Sequence, residues 1–303
     1  MSEGPLVSRL AGMLLAARSY SQEHSRGFGV VGFCAFIGFA AYSALTFPAG
    51  GLQQFDLWWL IFGCLVVAPA MQLANALEFR AQGRMLGEHI SLRECHDVTL
   101  TASMANMLPI PGSLLVRTHR LTQNNDRVEA ALTAVVVGLC WLGVSLIVGG
   151  LSLSLFSIYV LAGGAVGIGL ALTFGSFYLY RRFIATLPGF VQLIAIQAYL
   201  TAVSTLNMYL AFRVVGFPIS TLQTTVVIVS GPIASSVGVL PSGIGLAEGI
   251  VSFLSTLIGI SAKVGFVAAA MARLNIVVGV LLGKSARILS TRSNRSRAQL
   301  VKN

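Results

Sequence analysis

The chain has 303 residues, 55% of them apolar and only 10% charged, where an ordinary soluble domain carries about 25% charged residues. With a mean hydropathy of +0.82, this composition excludes a soluble enzyme and points to an all-α, polytopic membrane protein. The net charge of +10 does not mark a nucleic-acid-binding protein. Its arginines and lysines flank apolar runs instead of covering a soluble face, which is the positive-inside pattern.

In chain order, residues 1–27 place Leu6, Leu10, Met13, Leu14 and Ala17 at helical spacing, with Arg9 and Arg18 off that face. This reads as an uncleaved amphipathic segment on the cytoplasmic membrane surface. A span needs about 20 apolar residues. Residues 28–47 and 56–77 meet that requirement, and a polar stretch, 78–97, follows. Residues 98–116 are apolar but interrupted by Pro109, Pro111 and Gly112. Residues 129–149, 155–180 and 188–212 span, 218–240 span or nearly span, 246–260 are short, and 264–283 span. A basic tail, 288–303, closes the chain. The expectation is a bundle of about 7–8 spans plus one or two proline-broken re-entrant segments, in one domain over 28–287.

Orientation follows from the basic clusters. Both termini are expected on the cytoplasmic side of the plasma membrane. Arg93 and Arg117 flank 98–116, so that segment should enter and leave on the same side as a broken hairpin. Non-helical backbone at that depth requires cover from protein or a wet cavity. For 218–260 the sequence leaves two crossings and a second hairpin both open.

Two stretches, ASMANMLP from Ala102 and ASSVGVLP from Ala234, share four residues in an eight-residue frame, 132 positions apart. A chain rich in Ala, Ser and Leu produces such matches by chance. Here the helix order agrees with the match. At the same offset Asn75 falls on Asn207, and the first span falls on the helix from Leu155, which runs the opposite way. Pseudo-repeats of about 28–117 and 155–260 would make an inverted repeat, with paired Gly/Pro breaks marking a central site.

Ionisable residues inside apolar segments are costly unless paired or wet. Glu248 and Arg273 are the two such residues, and each is the other's expected partner, either as a packing salt bridge or as a gate or headgroup contact. Pro241, Gly243 and Gly245 precede Glu248 in the second broken segment. Arg117 and Arg120 follow Gly112 and Ser113, where a half-helix start would attract a phosphate. The plainer reading of both arginines is the positive-inside rule. Gln72, Asn75 and Glu78 share one helix face, and Gln197, Thr201 and Ser204 share another, with Asn207 one turn on. Such stripes line a bundle interior or bond across helices. Glu94, Cys95, His96 and Asp97 are consecutive and cannot converge on one ion, and Cys34, Cys64, Cys95 and Cys140 form no CxxC pair, so no metal is expected. No P-loop, dinucleotide fingerprint or Ser/His/Asp grouping appears, so no cofactor and no enzymatic activity are expected.

Three motifs, MLPIPGSLLVR, LPSGIGLAEG and ARLNIVVG, resemble the flippase-like transmembrane domain of lysylphosphatidylglycerol synthases and their stand-alone relatives, over roughly residues 28–287. The chain departs from that pattern at Ala247, where a basic residue is usual, and at Ser242, where glycine is usual. It departs again in ALTAVVVGLCWLG, which lacks the usual Arg and Asp. These departures bear on the identity of the lipid more than on the fold. The resemblance implies a lipid-translocating module without the soluble aminoacyl-transfer domain.

The expected function is translocation or binding of a phosphate-bearing or polyprenyl-linked lipid. The site would be drawn from Asn75, Pro109, Pro111, Gly112, Arg117, Arg120, Asn207, Pro241, Gly243, Gly245, Glu248 and Arg273. The expected partners are a membrane lipid with an anionic headgroup and an envelope-biosynthesis protein, with no nucleic acid. A non-catalytic accessory subunit of an envelope lipid or glycan synthesis complex is the alternative. A membrane-embedded transferase using His96, Asp97 or His119 is a third reading.

Overall fold

The computed structural model describes residues 56–105, 112–183, 186–237 and 245–300, all helix and connection, with no strand among the described residues. Five helices are long and apolar enough to cross a membrane. They are α1 (Leu57–Met85), α4 (Arg127–Ser154), α5 (Tyr159–Tyr180), α6 (Leu187–Val214) and α10 (Ala262–Leu300), the last through its apolar part Ala262–Ser285. Shorter helices lie between them: α2 (Leu92–Ala105), α3 (Gly112–Leu121), α7 (Thr221–Val227), α8 (Ser230–Val237) and α9 (Leu246–Leu257). The expected N-terminal segment 1–27 and first span 28–47 lie outside the described residues. The backbone of α10 runs on past residue 287 to Leu300 without a break.

Asp56 caps α1, its carboxylate accepting the Trp58 N–H at 3.0 Å. The helix passes through a π-helical turn at Gly63–Val67, a local widening that often marks function. It continues well beyond the apolar run to Met85, because Glu78 and Gln82 are buried in the bundle. Hydropathy alone reads these polar residues as the start of a loop.

The two interrupted regions each double back. Arg120, near the end of α3, lies 2.7 Å from Glu94 near the start of α2. Gln223, near the start of α7, donates to the Ile258 carbonyl just past α9 at 3.4 Å. Within 218–237, two short helices stand in place of one continuous helix. Ser220 starts α7 with a reciprocal cap to Gln223, α7 ends at Val227, and Pro232 in α8 supplies no N–H for helix continuity. The twelve residues of α9 rise about 18 Å, well short of the roughly 30 Å hydrocarbon core.

Helix boundaries recur along the chain. The offset of 132 positions seen in the sequence recurs here: shifted by it, the end of α1 falls within three residues of the end of α6, and the start of α4 falls within three residues of the start of α10. α1 and α6 lie antiparallel along their length. The Asp56 N–H donates to the Val214 carbonyl, Gln197 bonds Glu78, and Arg84 bonds Gln192. Packing partners exchange in the same way. α1 lies on α2 as α6 lies on α7, and α3 on α4 as α9 on α10. α10 packs against α2, just as α4 packs against α7 and α8.

Glycines permit the closest crossings, since TM helices gain contact when small residues let their backbones approach. A Cβ on Gly143 would meet the Gly169 carbonyl at 2.8 Å, and one on Gly169 would meet the Gly143 carbonyl at 2.8 Å, locking α4 to α5. Gly279 of α10 lies against Ala68 of α1 in the same manner. The largest buried apolar cluster joins α6, α7, α9 and α10 through Phe212, Val226, Val251 and Ala268.

Candidate functional site

The second leg of each doubled-back region carries an ionisable side chain tied to a long helix. In the second, Gly245 has φ = 85°, a conformation that costs other residues a Cβ clash. This turn starts α9 so that the Gly245 N–H donates to Glu248 Oε2 at 2.8 Å. The Glu248 side chain is 1% exposed, and its Oε1 lies 2.8 Å from Nε of Arg273 on α10. That approach is an ion pair by distance but does not align as a hydrogen bond, leaving Oε1 with acceptor capacity among the described residues. A buried carboxylate in this setting is held by charge and by one backbone donor.

One turn of α10 gathers a second polar group beside the first. Asn207 of α6 donates to the Ala272 carbonyl at 3.0 Å and accepts from Asn275 Nδ2 at 3.1 Å. Asn275 is fully buried against Gly63, in the π-helical turn of α1. Ala272, Arg273 and Asn275 therefore bring α1, α6 and α9 together at one level of α10.

In the first region the polarity is reversed. The cation is on the short helix, where Arg117 of α3 meets Glu78 of α1 at 2.6 Å and donates to Asn75 Oδ1 at 3.3 Å. Glu78 accepts a second bond at Oε2 from Gln197 of α6, at 3.2 Å. One turn away, Ser103 of α2 bonds Gln72 at 3.3 Å. Two buried atoms here have no hydrogen-bond partner among the described residues: Arg117 Nε and Gln197 Oε1.

Arg120 does not join this group. It bridges Glu94 and Glu88 at 2.7 and 3.3 Å, and the Glu94 hydrogen bond raises its pKa above the ordinary arginine value. Asn125 braces Glu88 from the other side at 2.5 Å. Burial pushes the Cys95 thiol at the start of α2 up to about 11, against weaker opposing pulls from Arg80 and Arg120. No three His, Cys, Asp or Glu side chains gather into a metal-like cluster among the described residues.

The structure thus brings Gly245, Glu248 and Arg273 together with Asn207 nearby, and separately joins Arg117 to Asn75. Gly112 starts α3. Pro109, Pro111, Pro241 and Gly243 lie outside the described residues. Glu78 and Gln197 stood out in the sequence only as members of polar stripes. Asn275 did not stand out, although its place two residues after Arg273 was a usable signal.

The lysylphosphatidylglycerol synthase transmembrane-region model matches residues 25–283, which takes in both ion pairs and every helix from α1 to α9. The chain belongs to the lysylphosphatidylglycerol synthase transmembrane-region family. No curated protein matches it. Membership of a transmembrane-region family agrees with the five span-length helices and makes the chain a multi-pass membrane protein.

Proposed function

We propose that the protein is a non-enzymatic lipid translocator of the plasma membrane, handling a phosphate-bearing or polyprenyl-linked lipid with an anionic headgroup. The observation that carries this reading is the antiparallel match of α1 with α6, followed respectively by the short helices α2 and α3 and by α7, α8 and α9, each set doubled back and leading to a long helix. Such inverted repeats build a central site from broken segments and alternate its access by rocking one half against the other. The two doubled-back regions are taken as re-entrant hairpins entering from opposite sides, because α9, one leg of the second, is too short to cross. Both termini are placed in the cytoplasm.

Each hairpin is latched by an ion pair of opposite polarity, Arg117 to Glu78 and Glu248 to Arg273. Opening a latch exposes one unpaired charge in a low-dielectric interior, where a headgroup of complementary charge replaces the lost partner. The lipid tails stay in the bilayer throughout. Glu248 is the candidate for ion coupling. Purified protein in vesicles should accelerate transbilayer movement of a fluorescent anionic phospholipid over protein-free vesicles. Equal rates for every lipid offered would contradict translocation.

A second reading, as an accessory subunit of an envelope lipid or glycan synthesis complex, draws on α5. Gly163, Gly167, Ala171 and Gly175 stand four apart on one exposed face of that helix, and a Cβ on any of the three glycines would meet nothing. Small residues at that spacing suit close packing by a partner helix. Purification in mild detergent with one protein in fixed ratio would favour this reading.

A further inference from the structure

Away from both ion pairs, the end of α1 meets the end of α5 and the start of α6 around a cleft of about 340 Å³. Its walls include Arg84 and Met85 of α1, Tyr180 of α5, and Thr186, Gly189 and Gln192 at the head of α6. That volume lies at the lower end of the roughly 300–1,000 Å³ typical of small-molecule sites.

Every polar side chain in the cleft has a proton to give. The Arg84 guanidinium carries only N–H groups, so the atom facing it at 3.0 Å is the Gln192 carbonyl oxygen. That contact uses up the Gln192 acceptor and leaves its amide NH2 as a donor with no partner among the described residues. Thr186 Oγ1 caps α6 by accepting the Gly189 N–H at 3.4 Å, and its own hydroxyl proton remains to be donated. Tyr180 is only 7% exposed, yet its hydroxyl has no hydrogen-bond partner among the described residues. Phe190 holds the Tyr180 ring at 5.3 Å, and Gly189 makes room for the hydroxyl, since a Cβ there would collide with it. Buried polar groups in native structures are normally satisfied.

The charge of the cleft is likewise unanswered. Arg84, and the exposed Arg181 and Arg182 that follow Tyr180, form no ion pair among the described residues. The first turn of α6 adds the positive end of a 28-residue helix. A set of donors around a cation is complementary to an oxyanion and repels an ammonium or a metal ion. Basic residues at the ends of spans stand on the aqueous side of the membrane boundary. The mouth of the cleft, where Arg84 and Gln192 are exposed, therefore admits a ligand from water. Met85 and Leu193 give it an apolar wall against which a body of a few carbons packs.

We propose that this cleft binds a small water-soluble organic oxyanion, a phosphate ester or a carboxylate, whose oxygens take the donors of Arg84, Tyr180, Thr186 and Gln192. The ligand joins α1 of the first half to α5 and α6 of the second. The proposal stands on the cleft alone and holds whether or not the protein moves lipid.

The test titrates purified full-length protein in uncharged detergent with phenyl phosphate and with benzoate, reading binding from the rise in unfolding midpoint. Phenol and benzamide are the uncharged counterparts, and sodium chloride keeps the ionic strength constant. At least one anion should bind at least tenfold more tightly than its counterpart, and the tighter anion identifies the group as phosphate or carboxylate. Arg84→Gln should abolish that preference. Tyr180→Phe keeps the ring on Phe190 and removes only the hydroxyl, so it should weaken the anion about tenfold, the size of one charged hydrogen bond. Binding of neither anion overturns the proposal, as does an affinity unchanged in folded Arg84→Gln or folded Tyr180→Phe. If one variant does not fold, the other decides. Saturating phosphatidylglycerol should leave the anion's binding intact. Competition between the two would overturn the soluble ligand and assign the cleft to a lipid headgroup.

Discussion

At the scale of single residues, the molecule spends its few internal charges in pairs. Glu78 and Arg117 leave only 7% and 17% of their side chains exposed. Removing one member of such a pair strands the other in a poor solvent, which costs about 3–5 kcal/mol. The two halves of the pair should not respond alike. Arg117→Ala strands a carboxylate whose remaining neighbour is the Gln197 amide, so it should destabilise by the full amount. Glu78→Gln leaves the more exposed partner and should cost roughly half as much. Unfolding of the two variants in denaturing detergent measures the order, and equal stability of both with wild type would show that the pair is solvated. Pairing of Glu248 with Arg273 was legible in the sequence, because both charges interrupt apolar segments. The partner of Arg117 was not. Glu78 sits at the edge of a polar stretch, where hydropathy cannot distinguish a loop residue from one turned into the bundle.

At the scale of elements, glycine and proline placement was the most informative feature. The break after Ala102 and the one before Glu248 were both visible as Gly/Pro interruptions, and α2, α3, α8 and α9 end or begin around them. The split of 218–240 was less visible, since Val226, Val227, Ile228 and Val229 keep the hydropathy high across the point where helix α7 ends. Gly245 is the hinge on which Glu248 depends. Gly245→Ala should destabilise by about 1–2 kcal/mol, the cost of a left-handed conformation with a Cβ, and should loosen the Gly245–Glu248 cap. A stability equal to wild type would mean the turn relaxes without penalty. The length of α9 carries a topological expectation as well. In a cysteine-free background, Ser220→Cys and Ser261→Cys should react with a membrane-impermeant maleimide from one side. Ser236→Cys, near the end of α8, should not react from the other. Reaction of Ser236→Cys from the opposite side would establish two crossings in place of a hairpin.

At the scale of the whole molecule, the 132-residue offset covers more than the eight-residue match that first exposed it. The sequence placed the repeats at about 28–117 and 155–260, which left α4 and α10 outside them. The shared offset of their starts and their exchanged packing, α4 on α7 and α8 and α10 on α2, support adding one long helix to each half. Sequence periodicity reports which face of a helix is apolar, but not which helix it meets, so this relation appears only once contacts are known. Charge breaks the symmetry that packing keeps: the first doubled-back region carries the cation of its ion pair and the second carries the anion.

The most direct test of that account is the rate of anionic phospholipid movement in vesicles reconstituted with equal amounts of wild type and Glu248→Gln. Gln keeps an oxygen for the Gly245 N–H but gives up the charge that faces Arg273. The account predicts that the variant folds, inserts and loses movement down to the protein-free rate. Movement at the wild-type rate in a folded Glu248→Gln protein would contradict it and leave the Glu248–Arg273 pair as packing alone.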